Sequence, residues 1–434
     1  MEDIEDIFVT NIRINKVRHL EGLEILLSET ERKHLILTGK NGSGKTSVLN
    51  GINTFLNWIL SEPTDEKELN DIFELYKKYK EVEKEVNSKP KPIFKSQSKA
   101  DYIMYMSAKT KWGNYLSIIE KKCPAQLFSN SDIYDREGIF QKYLWPNGNF
   151  LIKYFKSKRN FKPETSSGPN KIELKDKYSI DEDANENFVR QLVNLRFDLL
   201  DAKDIGNTLE VSKLENWFKK FENVLKSMLD DMAIKLVFDR PNFNYNIISQ
   251  NKEPFNLNQL SDGYGAFVSF VSELMMRMDR KFNNTSPYDL QGIVLIDEIE
   301  THLHIDLQKK ILPFLTSFFP KIQFIVTTHS PFVLSSVDNA VIYDLEKQIR
   351  VEDLSDYKYD ELVETYFETN QYSDFVEKQL SKYEILMAKE ELSEKDEDKL
   401  YELRKYFRKL PFFLSPELQL KIQSIELYPQ TVHT

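Results

Sequence analysis

The chain has 434 residues, enough for two or three domains or for one large domain with insertions. Hydrophobic residues make up 41% of it and charged residues 29%, which excludes a chain that is disordered throughout. Its 59 basic and 69 acidic side chains give a net charge of −10, which excludes a globally basic coat for nucleic acid.

The single cysteine, Cys123, excludes a disulfide framework and a cysteine-based zinc or iron–sulfur site. A lone thiol also fits a reducing compartment. The acidic first residues lack the apolar segment of a signal peptide, and no window approaches about eighteen consecutive apolar residues. We therefore expect a cytoplasmic protein with no membrane partner.

The hydrophobic periodicity predicts strands and helices in alternation. The predicted strands are 7–17, 23–27, 33–38, 150–155, two within 233–249, 292–296, 322–326, 340–344 and 348–352. The predicted helices are 46–60, 63–87, 185–202, 212–231, 266–281 and 304–318, and residues 355–434 are mainly helical.

The strongest motif, at residues 39–46, fits the phosphate-binding pattern G-x-x-x-x-G-K-[ST] between an apolar strand and a helix. Its glycines let backbone N–H groups curl around phosphate oxygens, and the helix N-terminus adds partial positive charge. Lys45 is expected to reach the β- and γ-phosphates, and Thr46 to bind Mg²⁺. The predicted nucleotide-binding residues here are Gly39, Lys40, Asn41, Gly42, Ser43, Gly44, Lys45, Thr46 and Ser47.

A second motif is Ile293-Val294-Leu295-Ile296-Asp297-Glu298, an apolar strand that ends in two carboxylates. Ligands of α/β proteins bind at the carboxyl ends of the strands. Asp297 is therefore expected to bind Mg²⁺, directly or through water, and Glu298 to activate the attacking water. Alone the pattern is weak, because many strands end in acids, but the phosphate loop in the same chain strengthens it.

The segment Leu260-Ser261-Asp262-Gly263-Tyr264-Gly265 opens a helix and resembles the signature of ABC-type ATPases, more often written LSGGQ. The resemblance implies that Ser261 and the Gly263 N–H face the γ-phosphate of ATP held by a second subunit. The alternative interpretation is an ordinary helix N-cap, a Ser or Asp before an apolar run.

His329 follows an apolar strand in the segment Thr327-Thr328-His329-Ser330-Pro331. It resembles the switch histidine of ABC-type ATPases, which contacts the γ-phosphate, and an imidazole can donate there. The alternative is a structural histidine at a strand end. We expect Lys45, Glu298 and His329 to be the catalytic residues.

The four motifs occur in the order that ABC-type ATPases use. The whole resembles the SMC/OLD-like AAA ATPases of bacterial anti-phage systems, such as the ATPase subunits PtuA of Septu and AriA of PARIS. The resemblance implies an α/β fold with an ABC-type P-loop ATPase head, a mixed β-sheet with flanking helices, formed by 1–60 plus 233–354. A large, mainly helical insertion with some strands is expected at 61–232, and a C-terminal helical region for assembly or partner binding at 355–434.

Some family elements have several candidates in this chain. The glutamine that senses Mg²⁺ and the attacking water is one of three residues, Gln97, Gln126 or Gln141. Arg18 and His19 are candidate contacts to adenine. The segment Glu300-Thr301-His302-Leu303-His304 offers two histidines but no third ligand for zinc, and family members carry a similar segment that packs at the dimer interface.

The resemblance implies an ATPase with ATP and Mg²⁺ as its cofactors that senses or scaffolds in anti-phage defence. It would form a dimer of heads, or a larger homo-oligomer, through ATP sandwiches. After residue 354 no apolar strand ends in paired acids, and His433 is the only histidine. We therefore expect no nuclease site in this chain, a nuclease effector supplied in trans, and DNA or a phage protein as the trigger.

Two alternatives stay open. One is a RecF- or SMC-like ATPase of DNA repair or recombination, with DNA as its main partner. The basic stretches Lys77–Lys99 and Lys153–Lys162 would contact DNA in either case, defence or repair. Those stretches also fit a solvated helix face and a loop. The other is a structural assembly that binds ATP but barely hydrolyses it, against which Glu298 argues.

Overall fold

The computed structural model describes most of the chain, in two compact units, Met1–Asp356 and Tyr357–Thr434. The described residues are 6–61, 110, 123–130, 148–159, 161, 163–170, 172, 174–175, 177–250, 253–279, 290–352, 374–389, 392–409, 422 and 425–426.

Strands and helices alternate through the first unit. In the described residues the strands are β1 (Val9–Val17), β2 (Leu20–Leu26), β3 (His34–Thr38), β4 (Ala125–Ser129), β5 (Leu151–Phe155), β6 (Lys235–Asp239), β7 (Asn244–Ile248), β8 (Phe255–Asn256), β9 (Gly292–Ile296), β10 (Ile322–Thr327), β11 (Ala340–Asp344) and β12 (Ile349–Glu352). The helices are α1 (Lys45–Ser61), α2 (Phe188–Asp204), α3 (Thr208–Leu229), α4 (Asp262–Asp279), α5 (Ile305–Phe318), α6 (Pro331–Leu334), α7 (Asp374–Met387) and α8 (Glu394–Lys409).

A six-stranded sheet with the order β12-β11-β3-β10-β9-β5 forms the centre of the first unit. Its strands run parallel except β12, which pairs antiparallel with β11. Strands β3, β5, β9, β10 and β11 are buried along their whole length, because their uninterrupted apolar runs suit parallel strands that are covered on both faces. The predicted α/β class with a mixed sheet and flanking helices is confirmed.

The register brings the carboxyl ends of the parallel strands to one edge of this sheet. Leu37 of β3 lies opposite Thr327 of β10, and Ile296 of β9 lies opposite both Val326 and Phe155. The chain segments that leave these strands therefore start at the same level. This edge of an α/β sheet is the usual position of a ligand site.

Helix α1 packs between the central sheet and a second, antiparallel sheet with the order β2-β1-β4. Its buried side chains recur at the three- and four-residue spacing of one helical face. They are Val48, Leu49, Ile52, Phe55 and Leu56. The same core includes Leu35 of β3, Ile12 of β1 and Leu127 of β4.

Helix α4 is buried from Gly265 to Met278, because its neighbours cover it on all sides. Ahead of it in the chain, helices α2 and α3 pack together and β6, β7 and β8 form a small antiparallel sheet. Aromatic side chains join these helices, with Phe188 edge-on to Phe221 at 5.0 Å between ring centroids. Helix α4 is thus the link between this region and the central sheet.

Two strands of the sheets come from 61–232, the range predicted as an insertion. β4 pairs with β1, and β5 pairs with β9 at the edge of the central sheet. Both strands thus belong to sheets whose other strands lie in the ranges predicted as the ATPase head, 1–60 and 233–354. Helices α2 and α3 do lie in this range, and the predicted helix at 63–87 lies outside the described residues.

The second unit contains helices α7 and α8. Their apolar side chains form a core of their own, in which Tyr383 lies 5.4 Å from Phe407 between ring centroids. The other members of this core are Leu380, Leu386, Leu400, Leu403, Ile422 and Ile425.

Candidate active site

The phosphate loop connects β3 to α1 at the carboxyl edge of the central sheet. Gly39, Gly42 and Gly44 have φ angles of 130°, 89° and 103°, a region that favours glycine. At Gly39 an added Cβ would also lie 2.9 Å from Ser43 Oγ and 3.3 Å from Asp344 Oδ1. The loop therefore needs glycine here for both its conformation and its close packing.

Lys45 begins α1, and its side chain is buried under the loop. Its Nζ donates to the carbonyl of Gly39 at 2.7 Å and to that of Lys40 at 3.1 Å. Burial lowers the pKa of Lys45, and the carboxylates of Glu300 and Glu298 oppose that shift. The ammonium thus lies between the loop and the acids that follow β9.

Lys40 differs from Lys45, because its side chain points away to the β11–β12 turn. Its Nζ pairs with Glu346 Oε1 at 3.2 Å, and its backbone N–H donates to Glu346 Oε2 at the same distance. Asp344, at the end of β11, accepts the N–H groups of Glu346 and Lys347. The turn therefore supports the start of the phosphate loop.

Asp297 is the meeting point of three elements. Its Oδ1 accepts the hydroxyl of Thr46 from α1 at 3.1 Å and the hydroxyl of Thr327 from the end of β10 at 2.7 Å. The carboxyl is 2% exposed, and burial raises its pKa while the two hydroxyls lower it. A hydroxyl and a carboxylate at this separation form an oxygen-rich pair of the type that Mg²⁺ binds with phosphates and water.

Glu298 has the left-handed backbone conformation, with a φ of 47°. Its N–H donates to Thr327 Oγ1 at 2.7 Å, and its Oε2 accepts the hydroxyl of Thr301 at 3.2 Å. A glutamate in this region is uncommon and is held only where its surroundings fix it. Thr327 therefore fixes the backbone of Glu298, and Thr301 fixes its carboxylate.

Arg159 also contacts this turn, although the sequence alone did not assign it to the site. Its Nη1 donates to the carbonyl of Asp297 at 2.8 Å and its Nη2 to that of Glu298 at 2.9 Å. Burial lowers the pKa of Arg159 to about 10, so the guanidinium stays charged at neutral pH. Its position four residues after the buried strand β5 could have pointed to the site. That inference also needs the pairing of β5 with β9, which the sequence does not give.

His329 and Glu300 meet beyond the end of β10. The backbone N–H of His329 donates to Glu300 Oε1 at 2.6 Å. Burial and the nearby Lys45 ammonium lower the pKa of His329, which favours the neutral imidazole. Burial raises the pKa of Glu300, a second residue that the sequence did not single out for the site.

Ser261 immediately precedes α4, and its carbonyl accepts the N–H of Gly265 at 2.7 Å. Ser261 is exposed, while Gly263 packs on the turn after β9, where an added Cβ would lie 2.8 Å from the carbonyl oxygen of His302. The signature segment therefore contacts the segment after Glu298 in its own chain and presents Ser261 outward.

Other predicted candidates have mixed positions. Gln126 is buried in β4, and Gln97 and Gln141 lie outside the described residues. Arg18 and His19 form the exposed turn between β1 and β2, next to Leu20, whose Cδ1 would lie 3.2 Å from a Cβ added at Gly44. That packing brings the turn to the side of the phosphate loop.

The basic stretch from 153 to 162 is only partly a surface. Lys153 is 1% exposed and pairs with Asp183 at 2.6 Å and with Glu273 at 3.6 Å. Lys156 is exposed and pairs with Asp181. Neither Lys153 nor the carbonyl-bound Arg159 is therefore free for DNA, and Lys77–Lys99 lies outside the described residues.

The described residues contain neither a clustered metal site nor a membrane-spanning helix. No group of three or more His, Cys, Asp and Glu side chains is arranged to hold a metal there, His302 and His304 included. None of the helices described combines the length and apolar composition needed to cross a bilayer.

Together, the parallel sheet, the phosphate loop and the acids at the same edge define a nucleotide site of the P-loop class. The chain belongs to the AAA ATPase domain family, whose model matches residues 8–334.

Relatives in defence systems share part of this region. The Septu protein PtuA of Bacillus mycoides is 36% identical over 132 residues, 30% of this chain and 18% of that protein. The retron Ec83 probable ATPase of Escherichia coli is 40% identical over 101 residues, 23% of this chain and 19% of its own. The matches thus span about a fifth of the length of these relatives. The predicted resemblance to defence-system ATPases is confirmed.

Solved structures of ATPase heads are similar only at low scores. The SMC head domain from Thermotoga maritima is 12% identical with a TM-score of 0.35, covering 78% of this chain and 94% of that one. A nucleotide-free ATP-binding cassette from an ABC transporter is 14% identical with a TM-score of 0.34, covering 82% of this chain and 99% of that one.

Proposed function

We propose that this chain is the ATP-binding and ATP-hydrolysing subunit of a cytoplasmic anti-phage defence complex. In this proposal it oligomerises through ATP sandwiches and controls a nuclease supplied in trans. The observation that carries the ATPase assignment is Asp297, which accepts the hydroxyls of Thr46 and Thr327 beside a buried Lys45.

The residues present fit ATP with Mg²⁺. Backbone N–H groups of the loop, whose glycines have positive φ angles, would bind phosphate oxygens, and Lys45 would neutralise the β- and γ-phosphates. Thr46 and Asp297 would hold Mg²⁺, which neutralises phosphate charge when bound. The Thr46 hydroxyl oxygen and Asp297 Oδ1 lie 3.1 Å apart, a separation that allows both to bind one ion.

Glu298 is the general base of the proposed reaction. Its carboxylate accepts a proton from the water that attacks the γ-phosphorus, and ADP and phosphate are the products. The His329 imidazole carries at least one ring N–H in either protonation state and would donate it to a γ-phosphate oxygen. Thr301 steadies the Glu298 carboxylate, and Thr327 fixes its backbone N–H.

The exposed position of Ser261 supports assembly through ATP. The signature stands at the start of α4, and the N-terminal end of a helix favours an anion. A second copy that presents its phosphate loop to Ser261 would complete that site. The oligomer in this proposal is therefore a dimer of heads, or a larger assembly built from such pairs.

The nuclease partner and the trigger are implied by the resemblance to defence-system ATPases rather than by the geometry. The matched proteins are named as parts of Septu and of retrons, which favours defence over DNA repair. Residues 355–434 are the region that we propose for assembly or effector binding. DNA or a phage protein is the trigger in this proposal.

Purification of the tagged chain from its native host tests the assignment to defence. We expect a nuclease in stoichiometric amount, and the matched variant Lys45→Ala separates partners that need ATP from those that do not. Recovery of nuclease-sensitive DNA with no protein partner would instead support the repair ATPase.

A further inference from the structure

Arg159 clamps the two peptide carbonyls that flank the Glu298 backbone turn. Its Nη1 donates to Asp297 O and its Nη2 to Glu298 O, at 2.8 and 2.9 Å. Resting on the ATPase function proposed above, we propose that Arg159 is a positioning residue for hydrolysis. It holds Glu298 in place and ties its turn to the helix that begins at the signature.

Glu298 has a left-handed φ of 47°, an uncommon conformation for a glutamate that persists only where its surroundings fix it. The carbonyls of Asp297 and Glu298 lie just past the end of β9 and are bound by Arg159. A guanidinium offers several N–H donors in a planar fork, so a single side chain serves both acceptors. A lysine has no such fork and would hold the pair less well.

The same guanidinium lies against α4. Its central carbon is 4.7 Å from the centroid of the Phe270 ring, and Phe155 packs edge-on to that ring at 4.9 Å. Phe270 lies in the helix that starts directly after Ser261. A shift of α4 when a second copy binds the signature would therefore reach Glu298 through one side chain.

Buried charges fix α4 to β5, the strand that leads to Arg159. Glu273 of α4 is fully buried and accepts Arg277 Nε at 2.7 Å and the N–H of Ala184 at 2.8 Å. Lys153 of β5 lies 3.6 Å from the same carboxylate. This ion pair joins α4 to β5, and Arg159 follows β5 in the chain and lies against Phe270 of α4.

The variants Arg159→Gln and Arg159→Lys test the inference, with Arg350→Gln as the matched control. Arg350 lies on β12, at the opposite edge of the central sheet from β5 and four strands from β9, which leads to Glu298. Like Arg159, it donates to two successive carbonyls, those of Leu26 and Leu27. We expect Arg159→Gln to lower kcat about 10- to 100-fold, because small misplacements of a reacting group have that effect. KM for ATP stays unchanged, since the residue binds no phosphate, and Arg159→Lys is intermediate.

Hydrogen exchange of the amides at 297–301, measured without nucleotide, gives a readout that does not need turnover. In Arg159→Gln these amides exchange faster, while the amides of the central sheet keep their protection. Arg350→Gln leaves the exchange of the amides at 297–301 unchanged. Unchanged exchange in Arg159→Gln, or a wild-type kcat, overturns the role of Arg159. A wild-type protein that binds but never hydrolyses ATP contradicts the proposed function instead, and the exchange result still decides the clamp.

Discussion

Thr327 and Asp297 are joined by a 2.7 Å hydrogen bond in which the threonine hydroxyl donates to Oδ1. The same hydroxyl accepts the backbone N–H of Glu298 at 2.7 Å. One side chain at the end of β10 thus fixes both acids at the end of β9. The parallel pairing of β9 and β10 puts them within reach.

Replacing Thr327 by valine keeps the shape and removes both hydrogen bonds. The part-buried N–H of Glu298 and the buried carboxylate of Asp297 then lose a partner, which destabilises the turn by about 1–3 kcal/mol. We expect kcat to fall at least about tenfold while Thr327→Ser stays near wild type, in steady-state ATPase assays. Thr316→Val is the matched control, because Thr316 donates to Pro313 O within its own helix, α5.

The two lysines of the phosphate loop have different roles. Lys45→Ala removes the buried ammonium beneath the loop, so ATP affinity should fall at least about 100-fold. Lys40→Ala removes an exposed side chain paired with Glu346 and should bind ATP nearly as wild type. Titration with a fluorescent ATP analogue measures both, and equal losses would count against this division of roles.

Glu298→Gln keeps the shape of the side chain and removes its basicity. We expect ATP binding to persist while hydrolysis falls at least about 100-fold, so the ATP-bound oligomer accumulates. Light scattering with ATP and Mg²⁺ compares the mass of this variant with that of wild type. Hydrolysis at the wild-type rate would show that another group is the base.

His34 makes the stability of the head depend on pH. It is 6% exposed, its Nδ1 accepts the N–H of Phe324 at 3.1 Å, and burial lowers its pKa from 6.5 to about 4. Between pH 6.5 and about 4, His34 is therefore protonated in the unfolded chain and neutral in the folded one. This contribution to stability is complete above pH 6.5 and is lost as the pH falls toward 4.

Between pH 6.5 and 5 that loss amounts to about 2 kcal/mol. We expect denaturant unfolding of His34→Asn to depend less on pH than that of wild type over this range. His304→Asn is the control, because its side chain is 77% exposed. Parallel pH profiles for wild type and His34→Asn would exclude the buried neutral imidazole.

The phosphate loop was predictable from sequence because its chemistry lies in consecutive residues. The strand before Asp297 was equally predictable, since an uninterrupted apolar run indicates a buried parallel strand. The helix at the signature begins four residues earlier than predicted, at Asp262 rather than 266. Gly263 and Gly265 obscured that start because glycine disfavours helices.

Arg159, Thr327 and Glu300 were not assigned to the site, because their roles depend on strand order. Arg159 lies 138 residues before Asp297 in a stretch whose charge pattern fits DNA or solvent equally well. Pairing of β5 with β9 brings it there, and no local periodicity predicts that pairing. Lys153 and Arg159 lie in the basic stretch predicted to contact DNA, but strand pairing places both where they bind groups of the protein itself.

Mixing two inactive variants tests most directly whether one copy completes the site of another. Lys45→Ala keeps an intact signature, and Ser261→Arg keeps an intact phosphate loop and should still bind ATP. We expect neither alone to hydrolyse ATP, while an equal mixture recovers about a quarter of the wild-type rate, because half the pairs contain one complete site. Wild-type hydrolysis by Ser261→Arg alone would contradict a site shared between two copies.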